Sequence, residues 1–126
     1  MEYRRLGNSG LIVSALGLGT MQFGKGMNMG GLGQEDTTAM IRFAVERGIN
    51  FIDTADVYSG GESETLIGQA LQSLGNRDEL VLATKFRLPM SDNFNRSGAT
   101  RVNILDRKST RLNSSHSTLS RMPSSA

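Results

Sequence analysis

Hydrophobic positions along the chain change period several times, and each change marks an element. Residues 3–14, YRRLGNSGLIVS, place short strand-like runs on either side of Gly7–Asn8–Ser9–Gly10, a turn-forming cluster, and predict a hairpin. Ala15–Leu16–Gly17–Leu18–Gly19–Thr20 is an apolar run suited to a buried strand, with glycine permitting close backbone approach. Residues 23–34 hold five glycines and read as a mobile loop. From Glu35 to Arg47 the period becomes helical. Met40, Ile41, Ala44 and Val45 fall at three- to four-residue spacing, acidic residues fill the first turn, and Gly48 stops the helix. Ile49–Asn50–Phe51–Ile52 reads as a strand ending on Asp53. Ser63 to Leu74 predicts a second helix, with Leu66, Ile67, Ala70, Leu71 and Leu74 on one face and Gly75 past its end. Leu80–Val81–Leu82–Ala83–Thr84 is a near-continuous apolar strand ending on Lys85.

Strand, helix, strand, helix, strand at this spacing is repeated βα crossover chemistry. Strands apolar on both faces imply a parallel sheet covered by helices. Such a sheet is either an open doubly wound one or part of a (β/α)8 barrel. In both, ligands bind where strands end, at the carboxyl edge. Asp53, Asp56, Tyr58 and Lys85 all fall at or just past that edge.

Composition narrows the function classes. The 126 residues suffice for one modest domain, and the absence of cysteine excludes a disulfide, a thiolate nucleophile and a thiolate metal site. No metal is expected. Apolar runs are far below membrane-spanning length, and MEYRRLGNSG lacks the apolar core of a signal peptide, so a cytoplasmic location is the default and no membrane partner is expected. The formal net charge is +2, unevenly placed. Residues 106–126 carry Arg107, Lys108, Arg111 and Arg121 against Asp106, a net +3, whereas residues 1–105 hold ten Lys/Arg against eleven Asp/Glu, a net −1. No aromatic side chain interleaves the basic tail for base stacking, so no nucleic-acid partner is expected. Oligomeric state is not readable.

Asp53, Tyr58 and Lys85 together suggest acid–base chemistry. A phenol is ordinarily a weak proton donor at neutral pH, and an ammonium held close favours the phenolate and makes proton donation easier. A carboxylate beside the lysine would keep it charged and oriented. Such a group could protonate a carbonyl oxygen while hydride from a cofactor reaches the carbon. By spacing alone the blander alternative stays open, with Asp53 capping a loop, Lys85 paired to it and Tyr58 packed nearby. Two rival motifs are weak. Gly31–Leu32–Gly33 has Asp36 where a dinucleotide fingerprint needs glycine, and Gly24–Lys25–Gly26 lacks the phosphate-loop frame.

GINFIDTADVYSGGESETLIGQAL, residues 48–71, resembles the signature of the aldo-keto reductases: Ile-Asp-Thr-Ala, a tyrosine five residues after the aspartate, then Ser-Glu and Gly. YRRLGNSGLIVSALGLGTMQFG at 3–24 is similar to that family's N-terminal hairpin and first barrel strand, and LVLATKF at 80–86 to its third. The resemblance covers about residues 3–104. It implies an NADP(H)-dependent reductase of small-molecule carbonyl substrates, aldehydes or ketones, on a (β/α)8 TIM barrel. It further implies Tyr58 as proton donor, Lys85 as the residue that tunes it, and Asp53 as the partner of Lys85. Gly19, Thr20 and Met21 would lie beside the nicotinamide of NADPH, with Asp53 near its ribose. Asp56 matches no catalytic position. A nicotinamide-binding regulatory subunit of the same fold, akin to the family's channel-associated members, is the alternative.

The family has a fourth catalytic residue, a histidine ending the fourth strand, and His116 is the chain's one histidine. No apolar run precedes it, and no apolar helix lies between Ile104 and His116. DRKSTRLNSSH, residues 106–116, resembles the conceptual translation of a widely used sequencing-library adapter, and SRMPSSA at 120–126 resembles its continuation in the same frame. The expectation is an α/β partial reductase domain at 1–105, an incomplete barrel of a hairpin and about three βα units, with a non-native or disordered tail at 106–126. His116 is then not catalytic. Such a chain is expected to fold marginally and to turn over negligibly by itself. A natural open fragment that binds another chain is a further alternative.

Overall fold

The computed structural model describes residues 1–26, 31–89 and 92–105. The tail at 106–126, His116 included, lies outside the described residues.

Strands β1 (Tyr3–Arg5) and β2 (Ile12–Ser14) pair antiparallel, Tyr3 opposite Ser14, and the predicted turn at 7–10 joins them. Strands β3 (Leu18–Gly19), β4 (Phe51–Asp53) and β5 (Val81–Ala83) form a parallel sheet in that order. Helix α1 (Gln34–Glu46) links β3 to β4, and α2 (Glu62–Leu74) links β4 to β5. Parallel neighbours joined through helices are the repeating unit of a (β/α)8 barrel, here present in part.

Each helix buries the face its apolar spacing defines. Ile41 of α1 and Leu66, Ile67, Ala70 and Leu71 of α2 pack with Ile52 of β4 and Leu80 just before β5, and Ala44 of α1 is buried as well. Met40, predicted on the buried face of α1, is exposed. At about 100° per residue, Thr37, Ile41 and Ala44 form the inward line, and Met40 falls on its flank. The segment 23–34 differs more from its reading as a loop. Phe23 is 2% exposed and bridges Leu32 in parallel, so both ends of the glycine-rich stretch are tied into the core.

The hairpin sits at the amino end of β4. Asn50 accepts a hydrogen bond from the Ser14 amide at 2.7 Å and donates through its side chain to the Ile12 carbonyl. Tyr3 donates its hydroxyl to the Gly48 carbonyl at 2.9 Å. Gly48 has φ +83°, and a Cβ there would meet Tyr3 Oη at 2.8 Å. Gly48→Ala should therefore cost about 1–3 kcal/mol from backbone strain and displacement of the hairpin. A urea midpoint equal to the parent's would contradict this account.

Candidate active site

The carboxyl ends of the three parallel strands form one rim, and backbone bonds carry the sheet past the regular strands toward it. The Thr20 amide donates to Asp53 O, the Thr54 amide to Ala83 O and the Asp56 amide to Lys85 O, all at 2.9–3.1 Å. Asp53, at the end of β4, stands opposite Gly19 and Ala83 in register. Lys85 follows β5 by two residues. Its Nζ donates to Asp53 Oδ2 at 2.7 Å, with both side chains about half exposed.

Tyr58 begins a short 3-10 turn, Tyr58–Gly61, that leads directly into α2. The Lys85 ammonium lies 5.2 Å from the centre of the Tyr58 ring, within the range over which a cation is attracted to an aromatic face. Burial lowers the lysine's pKa, but the Asp53 hydrogen bond, the interaction with the Tyr58 hydroxyl and the charges of both groups outweigh it. Lys85 is thereby held above its ordinary value. An ammonium in this setting stays protonated across the neutral range.

The turn bearing Tyr58 is clamped to the loop after β3. Ser59 takes a left-handed conformation, φ 51°, rare for a residue with a side chain. Its hydroxyl donates to the Phe23 carbonyl at 3.0 Å, and the Glu62 carboxylate accepts from the Lys25 amide at 2.8 Å. Gly26 makes the close approach possible, because a Cβ there would come within 2.8 Å of Ser59 Cα.

Beneath the rim lies a buried hydroxyl cluster. Ser63 donates to the Thr20 carbonyl at 3.0 Å and lies 3.3 Å from the hydroxyls of both Thr20 and Thr54. Thr20 also donates its hydroxyl to Asp53 O at 3.1 Å. These hydroxyls stitch the ends of β3 and β4 to the first turn of α2. Sequence reading singled out Asp53, Tyr58 and Lys85, and the fold brings them together. It missed Ser59, Ser63 and the bond from Thr84 to Glu64 at 2.6 Å. The Ser-Glu pair opening a helix was the available signal, but it reads equally as a solvent-facing cap. Asp56 is buried, and its amide donates to the Lys85 carbonyl.

The proposed cofactor neighbours divide. Gly19 and Met21 are exposed at the rim, and a Cβ on Gly19 would meet nothing within 4 Å, so open space lies beside Asp53. Thr20 is fully buried, with its amide, carbonyl and hydroxyl all engaged within the protein. A flat ring could rest on Gly19 next to the carboxylate, so the residues present fit the reactive half of a nicotinamide. Among the described residues no cluster of His, Cys, Asp and Glu could hold a metal, and no helix is long and apolar enough to cross a membrane.

A carboxylate, a lysine and a tyrosine thus gather on the carboxyl rim of barrel-type βα units, and comparison with known proteins gives the family. The model of the aldo/keto reductase family matches residues 15–118. The Bacillus subtilis (strain 168) aldo-keto reductase YhdN is 38% identical over 106 residues, covering 84% of this chain and 32% of its own length. The Escherichia coli (strain K12) protein Tas is 37% identical over 118 residues, 88% of this chain and 32% of Tas. Among solved structures, the holo form of aldo-keto reductase AKR11C1 from Bacillus halodurans superposes with TM-score 0.73 and 30% identity, covering 91% of this chain and 36% of that one. The chain belongs to the aldo/keto reductase family. It spans about a third of the length of the curated relatives it matches.

Proposed function

We propose that the chain is the N-terminal part of an NADP(H)-dependent aldo-keto reductase that reduces aldehydes or ketones, with Tyr58 as the proton donor. The observation that carries this reading is the Lys85 ammonium, 2.7 Å from Asp53 and 5.2 Å from the Tyr58 ring, at the rim where barrel enzymes bind ligands. Reduced nicotinamide, when bound, supplies hydride to the carbonyl carbon. The protein's part is the proton. Tyr58 donates its hydroxyl proton to the carbonyl oxygen, giving the alcohol. Lys85 stabilises the negative charge left on the phenolic oxygen, and Asp53 holds Lys85 charged and aimed. Gly19 and Met21 would border the nicotinamide, with Thr20 as the buried anchor between them and Asp53 near the ribose. Relatives named as reductases, such as norsolorinic acid reductase StcV of Emericella nidulans, support catalysis over a purely regulatory role. A cytoplasmic location belongs to the same reading.

The domain is proposed to occupy residues 1–105, with a non-native tail at 106–126. The adapter-like run supports that boundary, and the family match reaching residue 118 is the competing observation. The uninterrupted reading frame beyond Ile104 decides between them, an amphipathic helix and an apolar strand ending in histidine being expected there.

The 126-residue chain is further proposed to be inactive alone. Among the described residues β3 and β5 each pair on one side only, and a barrel removes such edges only by closing. Leu88, Phe94 and Val102 are exposed as well. Mixed with NADPH and a reactive aldehyde, the purified chain should oxidise cofactor no faster than a blank. Sustained turnover would overturn the claim of inactivity.

A further inference from the structure

We infer that Glu64 is a positioning residue for the Lys85–Asp53 pair and its tyrosine, acting through the hydrogen bond its carboxylate accepts from Thr84. This rests on the acid–base reading above and adds a residue to it. Thr84 Oγ1 lies 2.6 Å from Glu64 Oε1, a short bond to a charged acceptor. Its ends sit close in sequence to the reacting group. Thr84 immediately precedes Lys85, and Glu64 lies in the first turn of α2, just after the Tyr58 turn. The bond therefore joins the helix that continues from the phenol-bearing turn to the segment that carries the ammonium.

Backbone bonds restrain this strand end within the sheet, through the Thr54 amide on Ala83 and the Asp56 amide on Lys85. Glu64 adds a restraint from the helix packed on the sheet. Lys85 needs it, because a long, half-exposed side chain meets Asp53 at 2.7 Å only while its backbone stays in place. The groups that face the ammonium and raise its pKa are Asp53 and Tyr58; Glu64 is not among them. The role inferred from the Thr84 bond is geometric, so an amide that keeps the acceptor oxygen should serve as well as the carboxylate.

That difference supplies the test. The chain has three lysines, Lys25, Lys85 and Lys108, so NMR of protein labelled at lysine Cε resolves the titration of Lys85, assigned by its loss in Lys85→Arg. Asp53→Asn sets the scale by lowering the Lys85 midpoint. Glu64→Ala and Thr84→Val should lower it by about half of that drop or more, whereas Glu64→Gln and Thr84→Ser should keep it near the parent's. A role confined to stability would shift the melting temperature and leave this midpoint alone. Glu64→Ala with the parental midpoint, where Asp53→Asn still lowers it, overturns the positioning role and leaves the acid–base reading standing. A drop in Glu64→Gln equal to that in Glu64→Ala overturns the geometric role in favour of charge. A parental Lys85 that titrates like Lys25 and ignores Asp53→Asn sinks both. Should Glu64→Ala unfold, Thr84→Val removes the same bond from its donor side with no change of shape.

Discussion

Tyr58→Phe, made in this chain after its barrel is completed with the later βα units of a relative, is expected to slow carbonyl reduction about 10²- to 10⁴-fold. Phenylalanine keeps the ring 5.2 Å from the Lys85 ammonium, so the attraction between them and the packing of the turn persist. Only the hydroxyl is lost. The loss should fall on kcat with KM little changed, because the proton is needed in the transition state rather than for binding. Lys85 cannot stand in as the donor, since its Nζ is bound to Asp53 and its pKa is held high. A completed enzyme whose Tyr58→Phe form kept more than about a tenth of the parental rate would remove Tyr58 from the proposed role.

Phe23→Ala should be the most costly single change to the fold, at about 3–5 kcal/mol for an aromatic ring deleted from a packed interior. Phe23 is 2% exposed and packs in the core with residues of both helices and β4. Its carbonyl also accepts the Ser59 hydroxyl, so the cavity would loosen the clamp on the Tyr58 turn. Whole domains are stable by only about 5–15 kcal/mol, so a loss of this size removes a large share of the total. The variant should accordingly lose its cooperative urea transition, followed by circular dichroism. A transition at the parental midpoint would show that the ring contributes no core packing.

Phe23 also marks where sequence reading stopped short. Five glycines within residues 23–34 argue for a loop, and nothing local says that an aromatic at its edge turns inward. That placement comes from the parallel bridge to Leu32, a tertiary contact without periodicity. The two helices, by contrast, were legible to within about a residue at each end, because thirteen residues at period 3.6 leave little ambiguity. Strands of two or three residues carry too few positions to show a period, so β3 and β5 came out shorter than the apolar runs that announced them. In the site, Asp53 and Lys85 could be read because one ends a strand and the other follows a strand by two residues, where chemistry collects. Ser63 and Glu64 could not, since a polar side chain in a first helical turn faces solvent as readily as it reaches a neighbouring strand.

Asp53 and Lys85 stand 32 positions apart, and all that joins them comes from consecutive strand–helix units. The entropy of closing a chain segment rises only logarithmically with its length, so a meeting at this separation is entropically cheap. The charged couple can therefore assemble on a ribosome while downstream residues are still being added, before any later strand exists to meet it. In such a barrel the residues proposed to handle the proton are among the first parts born.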